Sequence, residues 1–167
     1  MGLSAIYGMY AGVYHWFPKM YGRMMNKGLG YLHFWGTFIC AYGVFFPMHF
    51  LGLAGLPRRY YQNSSFPMFD GLTDINAVIT FFALAGAIFQ FIFIFNFFYS
   101  IFKGTKASKN PWQANTLEWT TPVERIHGNW PGELPTVHRW AYDYSKPGAD
   151  KDFILQTEPL KEGEEEH

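Results

Sequence analysis

Two adjacent arginines, Arg58 and Arg59, are the strongest chemical signal in this 167-residue sequence. A guanidinium stays charged at any physiological pH and presents a planar fork of donors that matches a carboxylate or phosphate. Two in succession, held next to Pro57, suit a ligand with two acidic groups. The propionates of a haem meet that description and so does a lipid headgroup; spacing does not choose between them. The plainer reading is interfacial anchoring, with both side chains reaching lipid phosphates from a membrane edge.

Histidine is the other residue type that could do chemistry here. His15, His33 and His49 lie in apolar surroundings. None has the H-x-H or H-x-x-x-H spacing that brings two imidazoles to one metal. His49 is the best candidate, since it precedes the arginines by about two and a half helical turns. A hydrogen bond to a neighbouring helix or a propionate suits it better than axial ligation. Cys40 is the single cysteine, so no disulfide forms within the chain, and it reads as a small packing residue. His127 and His138 lack ligand-like spacing and read as surface residues. No metal-ligand set and no catalytic residue is assigned.

The elements that position these residues are apolar. Aromatic residues make up 21% of the chain and charged residues 16%, with 18 phenylalanines. The formal net charge of zero conceals a split, and it gives no sign of a nucleic-acid partner. Residues 1–102 hold five bases against two acids (+3), and residues 103–167 hold eight bases against eleven acids (−3). Three transmembrane segments are expected, at about 1–17, 28–56 and 73–102. The second could reach roughly 40 Å as a helix, against about 30 Å of bilayer hydrocarbon. Pro47 is expected to kink it, and Pro18 and Pro57 to stop the first two segments. Gly8 and Gly12 form a small-xxx-small pair that lets a neighbouring helix approach. Thr73 and Asp74 are plausible caps for the third span. No basic residue precedes Lys19, so the opening stretch is not expected to be a signal peptide. The first segment reads instead as the rear part of a membrane helix.

Residues 103–167 change character, with Lys103, Lys106 and Lys109, then six prolines, four tryptophans and an acidic end. Proline excludes long helices there. The tryptophans point to docking against something, and the last ten residues read as a solvated end. Short basic loops stay cytoplasmic. Loop 19–27 and segment 103–109 are both basic and two spans apart, so both are expected inside. Loop 57–72 then lies outside, in the periplasm. Arg58 and Arg59 sit there against the general charge bias, which asks for a reason.

HWFP (15–18), FFPMHFLGLAGLPRRYY (45–61) and NPWQANTLEWTTP (110–122) stand in that order. Together they closely resemble the carboxyl-terminal part of cytochrome c oxidase subunit I, the catalytic subunit of the haem-copper oxidases. The resemblance covers about residues 1–122. The following HGNWPGELPTVHRWAYDYSKPGADKDF looks like a lineage-specific extension of Bacteroidetes-type bacterial oxidases. The resemblance implies an all-α membrane protein: three helices matching the last three of a twelve-helix subunit, plus an irregular polar tail. It implies that Arg58 and Arg59 hold haem propionates, and that His49, Phe45 and Phe46 lie near the low-spin haem. Met48 departs from the glutamine that many members carry, which puts a polar role there in doubt.

The family's H-F-H haem-ligand motif would fall just before Met1, and its copper ligands earlier still. By resemblance, then, haem A and copper belong to the full enzyme, with at most partial haem contacts in this chain. The implied reaction is reduction of dioxygen to water with proton pumping in a bacterial inner membrane. The implied partners are the remainder of subunit I, subunits II and III, and cytochrome c. A non-catalytic membrane scaffold and a quinol-oxidising relative remain alternatives, though the tail favours the cytochrome c branch.

Overall fold

The computed structural model describes residues 2–57, 59, 66–122, 128–144 and 151–160. Three α-helices form: α1 (Gly2–Tyr21), α2 (Lys27–Leu53) and α3 (Thr73–Lys103). Short 3-10 turns occur at Pro67–Leu72 and Leu117–Thr120. Among the described residues β pairing is confined to two isolated bridges, Arg23 with Lys106 and Tyr144 with Phe153. The chain divides into two compact units, one of Met25–Lys103 and one of Met1–Met24 with Gly104–His167.

The first of these units is an antiparallel helix pair. Asn26 caps α2, its side-chain oxygen accepting from Leu29 N at 3.1 Å. Asn26 N donates to Asn96 Oδ1 (3.1 Å) and Ser100 Oγ (3.2 Å), and Asn96 Nδ2 donates back to Asn26 O (3.1 Å). Asn96 and Ser100 are fully buried. The α2 entry is therefore locked to the last turns of α3 by a satisfied polar cluster, as burial of such groups requires. Further along, a Cβ at Gly36 would clash with the Phe89 ring, and one at Gly43 with the Phe82 ring. These two glycines, two turns apart, are notches that admit aromatic knobs. The close approach that the sequence suggests for Gly8 and Gly12 has no counterpart in α1's own unit. A Cβ at Gly8 meets nothing, and one at Gly12 meets only Trp16 of its own helix.

Helix ends differ from expectation for identifiable reasons. Helix α1 runs through Pro18 to Tyr21 and stops at Gly22 (φ 64°), whose N–H donates to Pro18 O at 2.8 Å. The left-handed glycine, not the proline, ends it. Helix α2 contains Pro47 and stops at Leu53, three residues before the expected limit. Gly55 (φ 83°) donates to Gly52 O at 3.1 Å and Leu56 to Leu51 O at 3.0 Å, which is the Schellman arrangement. Thr73 is helical and closes the preceding 3-10 turn, its N–H donating to Asp70 O, so the turn runs directly into α3. Asp74 sits in its first turn and Lys103 in its last, both favoured by the helix dipole.

Two helical stretches are long and apolar enough to cross a membrane: Lys27–Leu53 and Pro67–Lys103. Only 17% and 6% of their most apolar windows are buried, whereas the core helix of a soluble protein is mostly buried. Helix α1, with His15 and Lys19 among its 20 residues, is not one of the two.

Candidate functional site

Of the predicted site residues, Phe45, Phe46 and His49 lie on α2 and Arg59 lies beyond its end. Arg58 lies outside the described residues. Arg59 is exposed and adopts φ 67°, a left-handed backbone that costs a branched or long side chain and is uncommon outside glycine. Among the described residues no carboxylate pairs with it. The Schellman end of α2 and Pro57 turn the chain sharply just before this position.

Phe45, Phe46 and His49 occupy the last two turns of α2. Phe45 is 49% exposed and Phe46 58%, so both project away from α3. His49 Nδ1–H donates to Phe45 O at 2.8 Å, which leaves Nε2 as the open ring nitrogen. The structure thus brings Phe45 and His49 together on one outward side of the helix. Among the described residues no hydrogen bond or ring contact joins them to Arg59. What the described residues offer here is an exposed guanidinium at 59 and, on α2, two exposed aromatic rings and an imidazole with one open nitrogen.

The other two membrane-segment histidines are engaged elsewhere. His33 is buried between α2 and α3, its Nε2–H donating to Gln90 Oε1 at 3.4 Å. Gln90 Nε2 donates in turn to Thr37 Oγ1 and Gly86 O, both at 3.1 Å. Cys40 is buried in the same seam, against Gly86. His15 lies between two tryptophans of the tail, stacked on Trp112 (5.7 Å, 15°) and edge-on to Trp119 (5.2 Å). Among the described residues no three His, Cys, Asp or Glu side chains converge as a metal site would need.

The tail has an organisation that its composition conceals. Trp119 is buried; Trp16 Nε1 donates to the Glu118 carboxylate, and Trp112 Nε1 donates to His15 O at 3.0 Å. Lys19, beyond the apolar 1–17 stretch, donates to Glu118 O and Thr121 O and lies 5.4 Å from the Trp119 ring. Burial pulls its ammonium below the usual lysine range, and the Glu118 carboxylate offsets part of that. The docking partner that the tryptophans imply is thus the end of α1. Farther on, buried Arg139 pairs with Asp143 (3.3 Å) and donates to Glu158 O and Pro159 O. Asn115 Nδ2 donates to Asp143 O, and Gln156 bonds Leu117 N and Arg139 O. An arginine and an aspartate four apart in a polar segment carry no sequence sign of burial. His138 is exposed, and His127 lies outside the described residues.

Comparison with known proteins adds to this geometry. The family described as "Cytochrome C and Quinol oxidase polypeptide I" matches residues 1–85. An "Alternative cytochrome c oxidase subunit 1" of Bradyrhizobium diazoefficiens is 48% identical over 165 residues, 98% of this chain and 28% of the relative. A "Cytochrome c oxidase subunit 1" of Thermostichus vulcanus is 43% identical over 84% of this chain and 24% of its own length. One of Synechocystis is 43% identical over 95% of this chain and 27% of its own length. The similarity therefore runs past residue 122 into the tail, in relatives from more than one lineage. The chain spans about a quarter of the length of these relatives. On these matches, this chain belongs to the cytochrome c and quinol oxidase polypeptide I family.

Proposed function

We propose that this chain forms the carboxyl-terminal part of cytochrome c oxidase subunit I, in a respiratory oxidase that reduces dioxygen to water and pumps protons. Its role there is to contact haem propionates and to pack helices. The observation that carries the reading is the P-R-R sequence immediately beyond the α2 end, with Arg59 exposed, left-handed and without an acidic partner among the described residues. Arg58 and Arg59 would hold the two propionates by charge-assisted hydrogen bonds. Phe45, Phe46 and His49 would line the flank of the same group. Haem A and copper, when bound in the full enzyme, supply the electron-transfer and oxygen chemistry. The chain's own residues orient and neutralise.

In this reading the apolar 1–17 stretch counts as a third membrane segment in addition to α2 and α3, and residues 103–167 form a cytoplasmic tail. Loop 19–27 and the tail face the cytoplasm of a bacterial inner membrane, and loop 57–72 faces the periplasm. The Arg23–Lys106 bridge supports a shared side for both basic segments, because it pairs them directly. The partners are the remainder of subunit I, subunits II and III, and cytochrome c. Cytochrome c is favoured over quinol as donor because the relatives compared above are named for it.

The test is purification through an affinity tag placed after residue 167. Co-purification of haem A, copper and cytochrome c-dependent oxygen uptake is expected. A tagged chain that assembles into a respiratory complex without haem would contradict the reading and point to a scaffold.

A further inference from the structure

We propose that Arg23 and Lys106 form a binding site for the phosphate of an anionic lipid headgroup. The two residues are held opposite one another by backbone bonds on either side. Ala107 N donates to Gly22 O (2.9 Å) and Met24 N donates to Thr105 O (2.8 Å), which leaves residues 23 and 106 as the bridge pair. Because the hydrogen bonds lie on the flanking residues, this is the close, non-hydrogen-bonded kind of antiparallel pair. In such a pair the Cα atoms approach to about 4.5 Å and the side chains share a face. Two cations placed this way repel each other. The arrangement is fixed nonetheless, since an Arg23 guanidinium N–H donates to Gly104 O at 2.6 Å.

Among the described residues no acid relieves that repulsion. The sequence has no Asp or Glu before Asp70 and none between Asp74 and Glu118. The Glu118 carboxylate accepts from Trp16 and lies beside Lys19. Among the described residues neither Arg23 nor Lys106 has a carboxylate partner. Lys106 is exposed, and Arg23 keeps further donors beyond the one used on Gly104. An anion from outside the chain is the natural complement, and the arginine fork matches phosphate geometry.

The surroundings favour a lipid as its source. Exposed Trp16, Tyr21 and Trp112 belong to the same unit, and such rings mark the headgroup level of a bilayer. The cytoplasmic leaflet is anionic, and basic pockets at that level hold head groups. This step rests on the membrane placement proposed above. Inorganic phosphate shares the chemistry without the acyl chains, so the experiment offers both.

The test uses the whole oxidase complex, purified in detergent, delipidated and weighed intact by native mass spectrometry. Dioleoylphosphatidylglycerol, dioleoylphosphatidylcholine and inorganic phosphate are offered to the wild type and to Arg23→Gln/Lys106→Gln, Lys106→Gln and Lys106→Arg. The wild type and Lys106→Arg should retain one more phosphatidylglycerol than the double variant does, bound roughly tenfold more tightly. Phosphatidylcholine should show no such difference. Should the double variant fail to assemble, Lys106→Gln carries the comparison, because the exposed Lys106 side chain holds nothing in place. Equal phosphatidylglycerol retention overturns the site, and displacement of the lipid by millimolar phosphate overturns the lipid source. Alkaline extraction of membranes keeps the two readings apart. A chain released by it contradicts the membrane placement and the site together; a retained chain with equal lipid binding contradicts the site alone.

Discussion

Arg139 and Asp143 show how much a single charge pair can organise. The pair is buried, and the remaining guanidinium donors reach the carbonyls of Glu158 and Pro159. Removing one partner of such a pair costs about 3–5 kcal/mol, because the other charge is left uncompensated. Arg139→Met is therefore expected to loosen the tail selectively. Limited proteolysis of the complex should then cut after residue 110 at far lower protease concentration, with the helical segment untouched. An unchanged cleavage pattern would show that the pair does not hold the tail. At this scale the sequence is uneven. The adjacency of Arg58 and Arg59 is legible as a candidate anion clamp because it needs no knowledge of folding. The burial of Arg139, the polar chain from His33 through Gln90 to Thr37, and the His15 sandwich depend on residues far apart in sequence.

Helices α2 and α3 were readable from apolar runs alone, and their limits of 27–53 and 73–103 fall within three residues of the expected spans. Helix ends were harder to read. Proline looks like a stop in both α1 and α2, yet the left-handed glycines Gly22 and Gly55 are what close the backbone. The pairing of α2 with α3 was not legible as a small-xxx-small motif, since Gly36 and Gly43 are seven residues apart. Their role appears only when Phe89 and Phe82 are seen to fill the notches. Gly36→Ala should overpack that seam and cost about 1–3 kcal/mol. Thermal unfolding of the detergent-solubilised complex should begin several degrees lower, with haem content per complex unchanged before heating. A variant as heat-stable as the wild type would mean that the ring moves aside freely and the notch is incidental.

At the scale of the whole molecule, the proposed topology puts the two basic segments inside and loop 57–72 outside. Cysteine introduced at Ser108 should react with a membrane-impermeant thiol reagent only from the cytoplasmic face, and cysteine at Asp70 only from the periplasmic face. Both positions are exposed. Labelling of both from one side would remove the proposed topology. The family and the mostly helical, apolar character of the chain were legible because long apolar runs and a P-R-R-Y sequence stand together in one sequence. The docking of residues 112–121 on the end of α1 was not, because prolines and scattered tryptophans report contact without naming a partner. The most direct measurement is a redox titration of the low-spin haem in the intact oxidase carrying Arg59→Met, and separately Arg58→Met. If these guanidinium groups hold the propionates, each substitution lowers the midpoint potential by about 60 mV or more, the one-electron equivalent of a tenfold change. Midpoints equal to the wild type in both variants would contradict the account.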